Sequence, residues 1–390
     1  MHAKSIFAGL GIALAVVACE PNVPVDPTPT SNKVVSSNIS ENTTWYADTV
    51  YQLGGRITVE PGVTLTIEPG TIIKGEAGTG ANATALLISR GATLNAAGTA
   101  SMPIIFTSIA DEISPEQVAL GDFASPNLDP TVNGLWGGVI VLGNAKISAS
   151  NASGDVSEVQ IEGIPTSDAF GLYGGNDNAD NSGILTYLSI RHGGANIGAG
   201  NEINGLTLGG VGSGTVVNHI EVVANQDDGI EWFGGAVNVS NVVVWNAGDD
   251  GLDTDQSWGG TLDNFVVITP MDRPFELDGP EGTYEASHTL KNGNVQASNA
   301  QITSGDLINT DANSLVSLES IYITDIQPGQ MINRIDAPGV SFSNVVLNVD
   351  TVSSYIFNNG SHPGISAGQT PMANTSVLGW TWAVQAGIIQ

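Results

Sequence analysis

Between residues 218 and 279, apolar and polar positions recur in blocks of about two dozen residues. The block NHIEVVANQDDGIEWFGG (218–235) is followed by NVVVWNAGDDGLDTDQSWGG (241–260), and NFVVITPMDRPFELDG (264–279) opens a third copy. The interval is 22 residues from Asp227 to Asp249 and 23 from Asp249 to Asp272. β-Branched and aromatic residues fill the runs, and Gly, Asn and Asp punctuate them. That combination predicts short strands joined by turns and stacked as a solenoid. A helical repeat needs a longer unit with a 3.6-residue pattern, which is not visible here. The chain therefore reads as all-β, a stack of parallel coils of about 22–25 residues each.

One apolar slot recurs in every coil: Leu206, Ile230, Leu252 and Phe275, and with looser spacing Leu307, Met331 and Tyr355. These positions are expected to form an interior ladder. Strand alternation turns the following residue outward, which gives Thr207, Glu231, Asp253 and Glu276, then Ile308 and Ile332. Neighbouring coils lie about 4.8 Å apart, so Glu231, Asp253 and Glu276 should line up beside the turn pairs Asp227/Asp228 and Asp249/Asp250. Two like charges at that separation repel by roughly 1 kcal/mol in water and several-fold more at a protein surface. Such a column calls for a cation.

The same alternation extends outward from this region. ITVEPGVT (57–64) and LTIEPGTI (65–72) repeat an eight-residue strand-and-turn unit, in which Glu60 and Glu68 read as turn residues. Coils are expected from Val34 to residue 370, interrupted by two irregular stretches, 109–133 and 150–182, that read as loop insertions. Insertions in repeat proteins gather on the binding face. The last stretch, 371–390, holds the run VLGWTWAVQAGIIQ and is expected to cap the final coil, since an open solenoid edge invites aggregation.

The amino terminus follows a different pattern. A basic start with Lys4 precedes an apolar run over 6–17 that is too short to span a bilayer, and it reads as a secretory signal over 1–18. The end of that run, VVAC, resembles the lipobox of bacterial lipoproteins, which implies cleavage before Cys19 and acylation of its thiol and amine. Several acyl chains on one residue give stable anchoring. Residues 19–33 include a proline-rich segment, a semi-rigid tether. Glu20 follows Cys19, where Asp would commonly signal inner-membrane retention, so the expected location is the outer membrane, with the folded part at the cell surface.

Composition sharpens this reading. Ten basic against 39 acidic residues give a formal charge of −29, which disfavours nucleic acid and anionic membrane surfaces as partners and favours cations or ligands bridged by them. The single cysteine, Cys19, leaves no intrachain disulfide.

Taken together, VQIEGIP (159–165), the YGG loop (173–175), YLSIRHGG (187–194), NEINGLTLGGVG (201–212), DDGIEWFGG (227–235) and LGWTWA (378–383) are similar to a family of bacterial surface lipoproteins. That resemblance implies a right-handed parallel β-helix of the pectin-lyase-like fold. A looser resemblance bears on chemistry. Some pectate lyases of this fold bind Ca²⁺ through a D-D-G-x-D run plus an acid of the preceding coil, and here that pattern is Asp249, Asp250 and Asp253 with Asp227, Asp228 or Glu231. Polygalacturonases pair acids similarly, but their G-H-G and R-I-K companions are missing from this chain.

The candidate metal ligands are thus Asp227, Asp228, Glu231, Asp249, Asp250, Asp253 and Asp255, for Ca²⁺. Trp258, Glu276 and Asp278 are candidate ligand-binding residues. Arg273, one coil past Asp250, is a candidate base for a lyase, with a salt-bridge role as the alternative. Three functions stay open: a Ca²⁺-loaded binder of polysaccharide or another extracellular ligand, perched beside an outer-membrane importer; a Ca²⁺-dependent polysaccharide lyase or a hydrolase; and a structural surface protein.

Overall fold

The computed structural model describes residues 31–198 and 202–389. The expected signal, Cys19 and all of the tether before Ser31 lie outside the described residues. The fold begins slightly earlier than Val34: Ser31–Val35 is already a strand, paired in parallel with Thr49–Leu53.

Two parallel sheets make the walls of the solenoid, one of 15 strands and one of eight. Parallel strands joined by crossover connections take the right-handed sense. The eight-stranded sheet runs, coil by coil, through Arg56–Val59, Ala85–Ile88, Val139–Leu142, Leu206–Gly209, Ile230–Phe233, Leu252–Asp255, Phe275–Leu277 and Ile308–Thr310. Leu206, Ile230, Leu252 and Phe275 are ladder partners in succession, all buried. Inside the tube Trp232 stacks on Trp258 with centroids 4.7 Å apart, and Phe265 meets Phe275 edge-on.

Beyond Phe275 the interior slot differs by one residue from the sequence-based expectation. Phe275 pairs with Ile308, and Ile308, Ile332 and Ile356 continue the ladder. Leu307, Met331 and Tyr355 are each one place off. The interval grows from 23 residues to 33 at this coil because residues 278–287 and 297–307 both form longer loops than their counterparts one coil earlier, and spacing then no longer fixes strand parity. The outward residues are Asn309 and Asn333, not Ile308 and Ile332, which are fully buried. Asn333 Nδ2 donates to Asn309 Oδ1 at 2.5 Å, so the acidic column gives way to an amide ladder.

Long-sheet strands bend in the middle. His219, Asn241, Asn264, Asn292, Ser320 and Asn344 occupy matching places with φ between 54° and 63°. Asparagine tolerates this left-handed region better than most residues, and Asn264 Nδ2 donates to Asn241 Oδ1 at 2.8 Å.

The carboxy-terminal segment is not a cap on the last coil. Residues 374–389 run back along the outside of the long sheet toward the earlier coils. Leu378, Trp382 and Ala383 cover Val223, Val243, Trp245 and Val266, while Trp380 packs with Ile105 of the long sheet and with Ile113, Val118 and Phe123 of the first insertion. Glu221, fully buried beneath this strap, accepts the N–H of Ala383 at 3.0 Å and the hydroxyl of Ser189 at 2.6 Å. The reason is apolar area on the outer wall: these outward valines and Trp245 need a cover. Strand Ile365–Ala367 remains the terminal strand of its sheet.

Candidate metal-binding face

The outer face of the eight-stranded sheet changes chemistry along its length. Its outward column reads Thr58, Leu87, Ile140, Thr207, Glu231, Asp253, Glu276 and Asn309 by ladder register. The second insertion covers the apolar end: Ile161, Ile164 and Tyr173 pack on Leu87, Ile140 and Leu142. Where that cover stops, the acids begin.

Three carboxylates converge there from two coils. Asp228, Glu231 and Asp253 each present an oxygen within 4.8 Å of the others. Asp228 leaves the turn before strand Ile230–Phe233, and Glu231 and Asp253 are direct ladder partners. Two further sets lie alongside: Asp227, Asp228 and Asp249, which shares Asp228 with the first, and Asp249, Asp250 and Asp272, which shares Asp249 with the second. The turn pairs stack because Gly229 N–H donates to Asp250 O and Gly251 N–H to Arg273 O. Asp250 N–H also donates to Asp228 Oδ1 at 2.9 Å.

The electrostatics of this face are unfavourable for the acids alone. Burial pushes Asp228, Glu231 and Asp253 well above the ordinary carboxylate range, and their mutual proximity pushes them further. Burial, with Glu162 and Asp249 nearby, raises Asp227 to about 7; burial, with Glu281 beside it, raises Asp255 to about 7. Asp249 and Asp250 are also raised, first by burial. Native proteins keep such groups when a cation neutralises them.

The polar atoms around the convergence are unsatisfied in a telling way. Asn204, 1% exposed, donates through Nδ2 to Glu231 Oε2, yet its own Oδ1 has no hydrogen-bond partner among the described residues. Asp253 Oδ1 and Asp250 Oδ1 are buried and equally unpartnered. Buried acceptors without donors are uncommon in folded proteins and cost about 1–3 kcal/mol each. A cation supplies what these oxygens lack: carboxylate and amide oxygens are the ligands that Ca²⁺ and Mg²⁺ take.

Most of the acids singled out in the sequence come together here, namely Asp227, Asp228, Glu231, Asp249, Asp250 and Asp253. Asp255 stands on the same face two residues along the strand, with Oδ1 accepting Gln256 N–H. Glu276 and Asp278 do not join the convergent sets. Glu276 is drawn to Arg273 at 2.9 Å, and Asp278, raised to about 6 by burial with Asp311 and Glu276 nearby, lies at the end of its strand. Trp258 is not a surface platform: it is 1% exposed, stacked inside the tube, with Nε1 donating to Val237 O at 3.0 Å.

Arg273 reaches the face, but as a bound counter-ion. Its guanidinium contacts Asp250 at 3.3 Å, Asp272 at 3.1 Å and Glu276 at 2.9 Å. Partial burial opposes its charge, yet Asp250, Glu276 and Asp272 outweigh that and hold its pKa above the usual arginine value. This is the reverse of what a general base needs.

Two contributors escaped the sequence reading. Asn204 lies three residues before the outward Thr207, just ahead of strand Leu206–Gly209. Glu162, from the second insertion, approaches Asn204 Nδ2 at 3.5 Å and adds its charge to Asp227 and Glu231.

A family model described as a pectate-lyase like beta helix domain matches residues 37–352. Comparison with curated proteins and with solved structures returned no match.

Proposed function

The chain belongs to the pectate-lyase-like β-helix family, and from that membership and the carboxylate face we infer a Ca²⁺-binding surface protein that holds an anionic extracellular ligand, such as a uronate-bearing glycan, through the ion. The convergence of Asp228, Glu231 and Asp253 around the unpartnered Asn204 Oδ1 carries this reading. Ca²⁺ is preferred over Mg²⁺ on geometry: Ca²⁺ takes six to eight oxygens in a flexible arrangement, whereas Mg²⁺ demands a near-ideal octahedron and keeps most of its waters. An ion whose coordination the protein leaves incomplete retains sites for a ligand carboxylate.

Binding is favoured over lyase chemistry by the state of Arg273. Eliminating across a uronate requires a base near the ion, and a guanidinium in contact with three carboxylates holds its proton. In this reading the protein is anchored to the outer membrane by acylated Cys19 and presents the face beyond a proline-rich tether, beside an importer for the captured ligand. Among the described residues no helix is long and apolar enough to cross a membrane. Loss of acyl labelling in Cys19→Ala is the expected result for the anchor, and unchanged labelling removes it.

The ligand is tested by passing the protein over immobilised polygalacturonate with Ca²⁺ or with chelator, while following absorbance of unsaturated uronate. Retention only with Ca²⁺ and a flat trace are expected. Growing absorbance that disappears in Arg273→Ala gives the lyase instead, and no retention in either buffer removes this ligand class.

A further inference from the structure

The loops at the carboxy-terminal ends of the acidic strands enclose a groove. Leading out of strand Val139–Leu142, residues 144–148 run past the ends of Ile230–Phe233 and Leu252–Asp255: Gly235 N–H donates to Lys146 O, and Ser148 N–H to Gln256 O. The 278–287 loop, which follows strand Phe275–Leu277, is pinned against them. Gly282 N–H donates to Ser148 Oγ at 3.0 Å, Thr283 donates through its N–H and hydroxyl to the Asp155 carboxylate, and Glu281 O accepts the Ser150 hydroxyl at 2.8 Å. Between these loops lies a groove of about 380 Å³, lined by the apolar Ile147 and Val156 and by Lys146, Asp155, Asn176 and Tyr284. That volume is within the range of pockets that take small ligands.

Lys146 sets the character of the groove. The chain carries 39 acidic residues against ten basic ones, and Arg56, Arg90, Arg191, Arg273 and Lys291 each meet a carboxylate. Exposed Lys146 meets none among the described residues; its ammonium stands 5.5 Å from the centroid of the half-buried Tyr284 ring. Asp155, which lines the same groove, is engaged by Thr283 instead. A lysine over a solvent-facing ring is held only weakly and keeps its donors free for an anion.

We propose that this groove is a second contact for the captured glycan, in which Lys146 pairs directly with the carboxylate of a further acidic sugar and the Tyr284 ring borders that sugar. The proposal rests on the reading of the carboxylate face as an ion-bridged site for an anionic glycan. Gln256 joins the two places. It follows the strand that carries Asp253, at most roughly 10 Å further along the chain, and it bonds Tyr173 Oη–H, Glu281 and Ser148 N–H at the edge of the groove. Ion and ammonium would then hold one chain at two points, and the second contact gains from being made within the same ligand. A charged hydrogen bond to Lys146 is open only to a carboxylated chain longer than the single sugar on the ion.

The test is calorimetric titration of galacturonate monomer and hexamer into the full chain and into its Lys146→Gln and Lys146→Arg forms, with Ca²⁺ or with chelator. In Ca²⁺, Lys146→Gln is expected to bind the hexamer at least about tenfold more weakly than the wild type, to bind the monomer equally, and to be rescued by Lys146→Arg. Equal hexamer affinities in the wild type and Lys146→Gln overturn the proposal, as does a loss in Lys146→Arg as large as that in Lys146→Gln. Hexamer binding that persists in chelator and vanishes in Lys146→Gln keeps the groove and sinks the ion-bridged reading. A wild type that takes Ca²⁺ but no galacturonate in either buffer overturns the groove and leaves the ion site standing.

Discussion

Glu231 and Asp253 are direct ladder partners on neighbouring parallel strands, and both carboxylates face out beside that of Asp228. Residues 22 apart in the chain are thus neighbours across one inter-strand spacing. The solenoid turns a sequence repeat into a spatial cluster, and the consequences can be measured.

The metal-free protein is expected to lose stability as pH rises. Asp227 and Asp255 are held at about 7 and Asp278 at about 6 in the fold, above an unfolded aspartate near 3.9. The folded state therefore binds these protons more tightly than the unfolded state. Their contribution is complete below about pH 4 and is lost as pH climbs through 6 to 7. Melting temperature in chelator should fall between pH 5 and pH 8, and added Ca²⁺ should restore it at pH 8. A melting temperature that climbs over this range in chelator contradicts the account.

Glu231→Gln should act in opposite directions on stability and on binding. It removes one buried charge while keeping an acceptor for Asn204 Nδ2, so the metal-free form should melt higher, by about 1–3 °C. Ca²⁺ affinity should fall at least about tenfold, or ~1.4 kcal/mol. A substitution that lowered both would mark Glu231 as a structural residue only.

Trp258→Ala should destabilise without touching ligand capture. A fully buried tryptophan stacked on Trp232 costs about 3–5 kcal/mol to truncate. Denaturant unfolding reads the loss, and Ca²⁺-dependent retention by the still-folded fraction should match wild type.

The carboxy-terminal strap should be essential to the outer wall that it covers. Trp382→Ala uncovers Val243 and Trp245 and removes the ring 5.0 Å from the Arg191 guanidinium. It should cost about 3–5 kcal/mol and increase binding of a hydrophobic dye. Unaltered stability would mean that the strap lies loosely on the sheet.

How far the sequence spoke depended on whether spacing stayed regular. Between Leu206 and Asp278 the interval barely changes, so the interior slot and the outward acids could be read directly. The two lengthened loops between Leu277 and Ile308 broke that count and displaced the slot by one. Trp258 went wrong for a local reason: Gln256 and Ser257 take φ of 51° and 59°, so the chain leaves the strand and alternation no longer tells inside from outside. Glu162 and the strap were illegible because their partners lie far away in sequence. Glu162 meets Asn204, and Ala383 meets Glu221 162 positions earlier. No local pattern encodes such docking.

The most direct measurement is Ca²⁺ titration by calorimetry of the wild type beside Asp253→Asn, at neutral pH after chelator treatment. The account predicts a saturable heat for the wild type, proton release with binding as the raised carboxyls ionise, and an affinity at least about tenfold weaker for Asp253→Asn. Identical, featureless titrations for both proteins would contradict it, and would leave the stacked acids as a solvated surface of the coil.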